Sequence, residues 1–202
     1  MSLIRPGKNS RMEKTYTFKQ TFSKADFTSS PMAKGEYEKC TFLSCEFSNA
    51  DLTEISFIDC LFDNCNLSMA KLNNTALRGT GFKGCKMLGL NFWKCNQFGI
   101  TASFNNCNLT HSSFYRTKFK KTSFKNANLQ EVDFTECDLS GSAFENCDLT
   151  HAIFENSILE KVDFRTAANY SINPESNRIK KAKFSTPGIA GLLDKYDIEI
   201  DN

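Results

Sequence analysis

No run of 18 apolar residues occurs anywhere in the chain, which excludes a membrane-spanning helix, and the opening MSLIRPGKNSRMEK has no apolar stretch of the kind a secretory leader carries. A cytoplasmic location with no membrane partner is the expectation. The sequence is also poor in groups that do chemistry. It has two histidines, His111 and His151, and neither lies beside a Ser or Cys nucleophile with an acid to orient it. No glycine-rich phosphate loop is present. Nine cysteines occur without a close pair, since Cys40 and Cys45, like Cys60 and Cys65, stand five apart. A zinc site built on those four therefore lacks the usual spacing. An odd count without a leader argues for free thiols in a reducing compartment. No catalytic residue, cofactor or metal is expected, and the chain reads as a non-enzyme.

What the sequence does contain is one aromatic used repeatedly: 19 Phe against a single Trp, in a chain that is 40% hydrophobic. Such a bias means that one structural position is filled by the same residue many times. Every fifth position from Phe27 through Phe92 is apolar, and a second run extends from Phe104 to Phe164. A helix of 3.6 residues per turn would smear this period around its circumference, and an uninterrupted strand would send alternate members to opposite faces. Each five-residue unit must instead contain its own change of direction, returning every large apolar side chain to one shared interior.

Two residues before most of these stands a small or apolar one, and all nine cysteines fall in this phase of the five-residue count, which implies a second inward position where Cys acts as a compact hydrophobe. The residue between is often Asp or Asn, as at Asp26, Asp51, Asn108, Asp133 and Asp148, the types that bond neighbouring backbone in turns. Units such as AlaAspPheThrSer at 25–29, AlaAspLeuThrGlu at 50–54 and CysAspLeuSerGly at 137–141 resemble the pentapeptide-repeat family over about residues 25–164. The resemblance implies an all-β fold, a right-handed quadrilateral β-helix in which four units make one turn. Recurrence at twenty supports this independently: Phe104, Phe124, Phe144, Phe164 and Phe184 would form one column, Leu109, Leu129 and Leu149 a second, Phe114, Phe134 and Phe154 a third. On that geometry His111 and His151 stand two coils apart, roughly 10 Å, too far to share an ion.

The expected organisation is a disordered or capping segment at 1–20, the β-helix at 21–184, and a C-terminal cap at 185–202. Twelve residues separate Phe92 from Phe104 where two units need ten, so 93–103 is read as an irregular loop, with Trp93 and Lys94 as candidate partner contacts. The C-terminal end reads as a short helix, Ser185 or Thr186 capping it and Pro187 at its first position, followed by a strand. Ile189, Leu192 and Leu193 on that helix are candidate dimer contacts. The quinolone-resistance branches of the family end similarly and dimerise there, so the resemblance implies a homodimer.

Net charge is +2, but it is banded: 36–66 holds seven acids and one Lys, 67–130 ten bases and no acid, 131–164 nine acids and one Lys. On a repeat rod, sequence bands should become bands along the axis. The resemblance implies a partial DNA mimic that binds a type II topoisomerase, DNA gyrase or topoisomerase IV, and protects it against fluoroquinolones. Asp133, Glu136, Asp138, Glu145, Asp148 and Glu155 are the leading contacts. The alternative is a scaffold, or a binder of anionic partners through Lys83, Lys86, Lys94, Arg116, Lys118, Lys120 and Lys121, which leaves direct nucleic-acid binding open.

Overall fold

The computed structural model of the chain describes residues 15–200, so what is expected of residues 1–14 lies outside the described residues. Eleven strands of three or four residues follow in order: β1 (Thr15–Phe18), β2 (Thr21–Ser23), β3 (Gly35–Glu38), β4 (Thr41–Leu43), β5 (Ser56–Ile58), β6 (Leu61–Asp63), β7 (Ala76–Arg78), β8 (Thr80–Lys83), β9 (Ala102–Asn105), β10 (Ser123–Lys125) and β11 (Ala143–Glu145). Each pairs in parallel with the strand one coil away. The pairs assemble a four-stranded sheet, β1-β3-β5-β7, and a seven-stranded one, β2-β4-β6-β8-β9-β10-β11. Isolated parallel bridges such as Asp26 with Glu46 and Asp51 with Lys71 carry the other two walls. The molecule is a right-handed quadrilateral β-helix.

The corners explain the five-residue period. In successive units the residue two after the inward one adopts left-handed backbone, as at Lys39 (φ 54°), Ser44 (φ 50°), Asn49 (φ 57°) and Glu54 (φ 63°). Left-handed backbone is costly for most L-residues and least so for Asn, which fills this position at 49, 64, 74, 106, 126, 146 and 156. The Asp or Asn before the inward residue braces the turn: the Asp51 carboxylate accepts from the Thr53 amide at 3.0 Å and Asp133 from the Thr135 amide at 2.9 Å. Local strain and local bonding thus set each right angle, and burial of the next apolar residue sustains it.

Inside, four columns fill the tube. The fourth wall carries nine phenylalanines, Phe22 through Phe184, with successive ring centroids 4.6–5.5 Å apart and planes within 2–19° of parallel. This is the rung spacing of a parallel sheet imposed on aromatic rings. The second wall ends in Phe92, Phe114, Phe134 and Phe154, stacked at 4.3–5.1 Å. Phe82 pairs directly with Phe104, a step of 22 where other coils take 20, so the extra two residues are absorbed without shifting the column.

Three boundaries differ from the sequence expectation. Thr15–Phe18 already lies in the first sheet, paired with Gly35–Glu38, so the coil extends into the segment read as disordered or capping. Thr17 faces Tyr37 there, and a polar residue at an inward register gives no apolar signal. The irregular segment is also shorter than 93–103, because Phe92–Lys94 is a 3₁₀ turn and β9 begins at Ala102. At the C-terminal end the expected helix is 3₁₀ at Pro187–Leu192, followed by a second 3₁₀ turn at Asp194–Tyr196, and Asp197–Ile200 forms no strand. Gly188 and Gly191 within six residues leave too little helix propensity and too short a run for an α-helix. Among the described residues, no helix is long and apolar enough to cross a membrane.

Candidate interaction surfaces

Because the backbone repeats every twenty residues, a side chain meets its neighbour one coil away, and the axial contacts decide what each charge does. Arg116 donates to both Glu136 carboxylate oxygens at 2.7 and 3.0 Å. Lys120 lies 2.9 Å from Asp138, Lys125 2.6 Å from Glu145 and Arg178 2.6 Å from Glu160, while Arg165 pairs with Asp163 on its own wall at 2.8 Å. Five of the nine acids of 131–164 therefore hold a Lys or Arg. The Arg116 guanidinium keeps the Glu136 carboxyl below its ordinary range. Burial pushes Asp138 up, and the bonds from Ser140 and Lys120 outweigh it, leaving that carboxyl lowered as well.

Of the six acids singled out in the sequence, Glu136, Asp138 and Glu145 are thus neutralised by the basic segment one coil below. Asp133 accepts from the Ser113 hydroxyl at 3.1 Å. Asp148 accepts from Gln130 at 2.6 Å and Asn169 at 2.9 Å, besides bracing its own turn. Glu155 is exposed. Asp133, Asp148 and Glu155 have no cationic side chain within ion-pair distance among the described residues. The axial bands of the sequence are real, but their borders interlock, so the acidic band does not present a continuous negative surface. Among the cations, Lys83 pairs with Asp63 at 3.1 Å, whereas Lys86, Lys94, Lys118 and Lys121 have no carboxylate at that range among the described residues. His111 stands 3.2 Å from Glu131, its neighbour one coil up.

The inserted coil projects two aromatics. Trp93 is 46% exposed, donates from Nε1 to Asn91 at 3.2 Å, and has the Lys94 ammonium 5.2 Å from its ring centre. Phe98 is 80% exposed, with the Arg78 guanidinium 5.8 Å from its ring. Counting in fives hid Phe98, because it places Gln97 inward. The polar Gln97 side chain instead bonds the Phe92 and Cys95 carbonyls, at 3.1 and 2.9 Å, and Ile100 takes the buried place. A polar residue at a position otherwise always apolar was the available signal.

The second inward position is more than a space filler. Cys60 Sγ donates to the Tyr37 carbonyl at 3.1 Å, Cys65 to Phe42 at 3.3 Å and Cys85 to Phe62 at 3.4 Å. Thr75, Ser142 and Ser157 make the same bond 23 residues back, at 2.7, 3.1 and 2.7 Å, and Asn177 continues it to Phe154 at 2.7 Å. These side chains add a second donor to inward carbonyls, which have two lone pairs: the Leu52 carbonyl also accepts from the Ile55 amide at 3.2 Å and the Phe134 carbonyl from the Cys137 amide at 3.1 Å. Burial pushes the Cys60 and Cys137 thiols up to about 12, which keeps them protonated as donors.

At the C-terminal end the 3₁₀ segment closes the tube. The Ile172 amide donates to the Gly191 carbonyl at 2.8 Å, and a Cβ at Gly191 would overlap the Tyr170 carbonyl, so only glycine lets the cap approach this closely. Tyr170 and Ile172 are buried in the looser last coil, and Leu192 packs on the core from above. Of the three residues read as dimer contacts, Ile189 is 47% exposed while Leu192 and Leu193 are half-buried, and the exposed apolar set is completed by Tyr196, Ile198 and Ile200.

Comparison with known proteins matches this architecture. A family described as "Pentapeptide repeat region" covers residues 100–169, and "Pentapeptide repeats (8 copies)" covers residues 45–84, together more than half of the chain. No curated protein matches. Solved structures of QnrB1, a plasmid-mediated fluoroquinolone resistance protein, share the fold: one trypsin-treated variant aligns over 93% of this chain and 92% of its own at TM-score 0.69 and 16% identity. A second trypsin-treated variant aligns over 93% of this chain and 100% of its own at 0.61 and 18%. At such identity the likeness extends to the coil and no further. The five-residue turn that builds these walls is the unit both family descriptions specify, and the chain belongs to the pentapeptide-repeat family.

Proposed function

We propose that this chain is a non-enzymatic, cytoplasmic interaction rod that pairs with a second copy through its C-terminal end and meets a partner protein on its outer walls. The observation that carries the reading is the filled interior: apolar columns run from Phe22 to Phe184, so the side chains that vary from coil to coil face outward. Ile189, Tyr196, Ile198 and Ile200, exposed together near one end, support the pairing.

The partner is a type II topoisomerase, DNA gyrase or topoisomerase IV, met by partial DNA mimicry that protects against fluoroquinolones. Support comes from the shared fold with QnrB1 and from Asp133, Asp148 and Glu155, the three of the six singled-out acids that hold no Lys or Arg among the described residues. The mimicking surface is narrower than the sequence suggests, because Glu136, Asp138 and Glu145 already hold partners. The test is a gyrase pull-down with the wild-type chain and with Asp133→Asn/Glu155→Gln, alongside fluoroquinolone susceptibility of an expressing host. Retention lost on neutralisation supports the reading; no retained topoisomerase and unchanged susceptibility sink it.

A second reading, a binder of anionic partners, is favoured by exposed lysines such as Lys86, Lys118 and Lys121, which have no carboxylate partner among the described residues. Binding of a polyanion with steep salt dependence is its signature.

A further inference from the structure

Charge read along the sequence and charge read around the tube disagree on one wall. The third wall, over the column Phe119, Leu139, Leu159 and Ile179, begins with Lys118, Lys120 and Lys121 on one coil. The next carries Asp138 alone, the next Glu160 and Lys161, and the last Arg178, Lys180 and Lys181. Register fixes this alignment: Asp138 bridges Ile158, Ile158 bridges Arg178, the Lys121 amide bonds Ser140, the Gly141 amide bonds Glu160, and the Lys161 amide bonds Lys180. Two of these four coils lie within 131–164, the most acidic segment of the chain, yet this wall holds seven cations against two carboxylates.

Both carboxylates are occupied, Asp138 by Lys120 at 2.9 Å and Glu160 by Arg178 at 2.6 Å. Lys118, Lys121, Lys161, Lys180 and Lys181 are exposed and have no carboxylate at ion-pair distance among the described residues. Lys121, Lys161 and Lys181 share one corner with φ of 53°, 60° and 61°, and Gly141 between them has no side chain to interrupt the line. At about 4.8 Å per rung, that line extends about 14 Å along the rod.

We propose that this wall is a track for the phosphate backbone of a nucleic acid, gripped without regard to base sequence; the proposal rests on the anionic-partner reading above. Lysine ammonium groups are hydrated point charges suited to phosphate. A line of about 14 Å faces about four phosphates of one strand, at about 3.4 Å of axis per phosphate. No base-reading element accompanies the lysines, which makes the contact one to the backbone. An acidic protein is the lesser fit. Protein interfaces centre on desolvated aromatic or apolar anchors and are depleted in lysine, and no exposed large apolar side chain lies on this stretch of wall.

The test is fluorescence anisotropy of a labelled mixed-sequence DNA duplex, at salt from about 50 to 200 mM, with labelled polyglutamate as a second probe. One variant carries Lys118→Ser, Lys121→Asn, Lys161→Asn and Lys181→Asn. Asn already occupies equivalent left-handed corners, and unchanged far-UV circular dichroism checks the fold. The control carries Lys19→Asn, Lys24→Asn and Lys71→Asn, exposed lysines away from the track and outside the side-chain contacts named above, the first two at left-handed corners of the kind Asn fills elsewhere. The expected result is wild-type duplex affinity within about 10⁻⁶–10⁻⁴ M, a loss of about tenfold or more in the first variant with a salt slope smaller by about three to four, and near-wild-type behaviour in the control. Loss in the control with retention in the first variant keeps the anionic-partner reading and overturns the track. Binding of polyglutamate but not duplex also overturns it and makes the partner an acidic protein. Binding of neither overturns both.

Discussion

Phe134 and Phe154, twenty residues apart in the chain, stack with ring centroids 5.0 Å apart and planes 13° from parallel, and Phe114 covers the other side at 5.1 Å. Phe134 is fully buried. Phe134→Ala removes a ring from the middle of a continuous column whose neighbours are fixed by backbone ladders and have little freedom to collapse. A loss of about 3–5 kcal/mol is expected in urea unfolding. A measured loss below about 1 kcal/mol would place the residue outside the core.

The thiol of Cys60 is expected to matter as a donor as well as by its size. Cys60→Ser keeps a donor for the Tyr37 carbonyl, as Thr80 does for Phe57 at 3.2 Å one coil on. Cys60→Ala removes this side-chain donor while the carbonyl keeps its place in the β3–β5 ladder, and should be the less stable of the two by about 0.5–1.5 kcal/mol. Equal melting curves for the two variants would show that the S–H···O contact contributes nothing.

Asn177 is the polar plug of the last coil. Its amide nitrogen donates to the Phe154 carbonyl at 2.7 Å, and its oxygen accepts from the Ser157 amide at 2.9 Å, at 5% exposure. Asn177→Ala strands both groups, at about 1–3 kcal/mol each. Hydrogen exchange should report this first at the Ser157 amide. If protection there is unchanged, the bond is not what holds the coil.

Acid stability should depend on Asp148. Burial pushes its carboxyl up, but the bonds from Thr150, Asn169 and Gln130 outweigh that and hold it down at about 2. A folded-state value below the unfolded one of about 3.9 gives stability that is complete above about pH 4 and lost as pH falls toward 2. Asp148→Asn should flatten this fall by about 1–2 kcal/mol after solvent screening, read as melting temperature between pH 5 and 2. An identical acid slope in the variant would exclude Asp148 as a contributor.

The pairing of two copies has its own test. Ile189→Asp places a charge among exposed apolar groups and spares the half-buried Leu192 that anchors the cap. Sedimentation equilibrium is expected to show a wild-type dimer and a variant monomer. A monomeric wild type would remove the dimer from the proposal.

The coil was legible because its driving force is local and repeated: an apolar residue every five positions admits few geometries, and the twenty-residue recurrence of Phe104, Phe124 and Phe144 specified which. What escaped lies where residue type and role part company. Thr17 is polar where it pairs with the inward Tyr37, and the polar, exposed Gln97 falls where the count of five calls for an apolar residue, so the first strand and the exposed Phe98 gave no periodic trace. The charge bands were visible, but pairing was not, since Arg116 and Glu136 are neighbours only once the tube is closed. The expectation of a C-terminal helix weighed Pro187 and overlooked Gly188 and Gly191, which the close approach to Tyr170 requires.

The 22-residue coil brings Phe104 directly over Phe82 with no offset in the rings on either side. That corner is therefore a splice point: the stack on each side keeps its phase with two extra residues looped out between them. Selection is free to enlarge, trim or re-letter the protrusion bearing Trp93 and Phe98 as a separate part, while the rest of the rod keeps time.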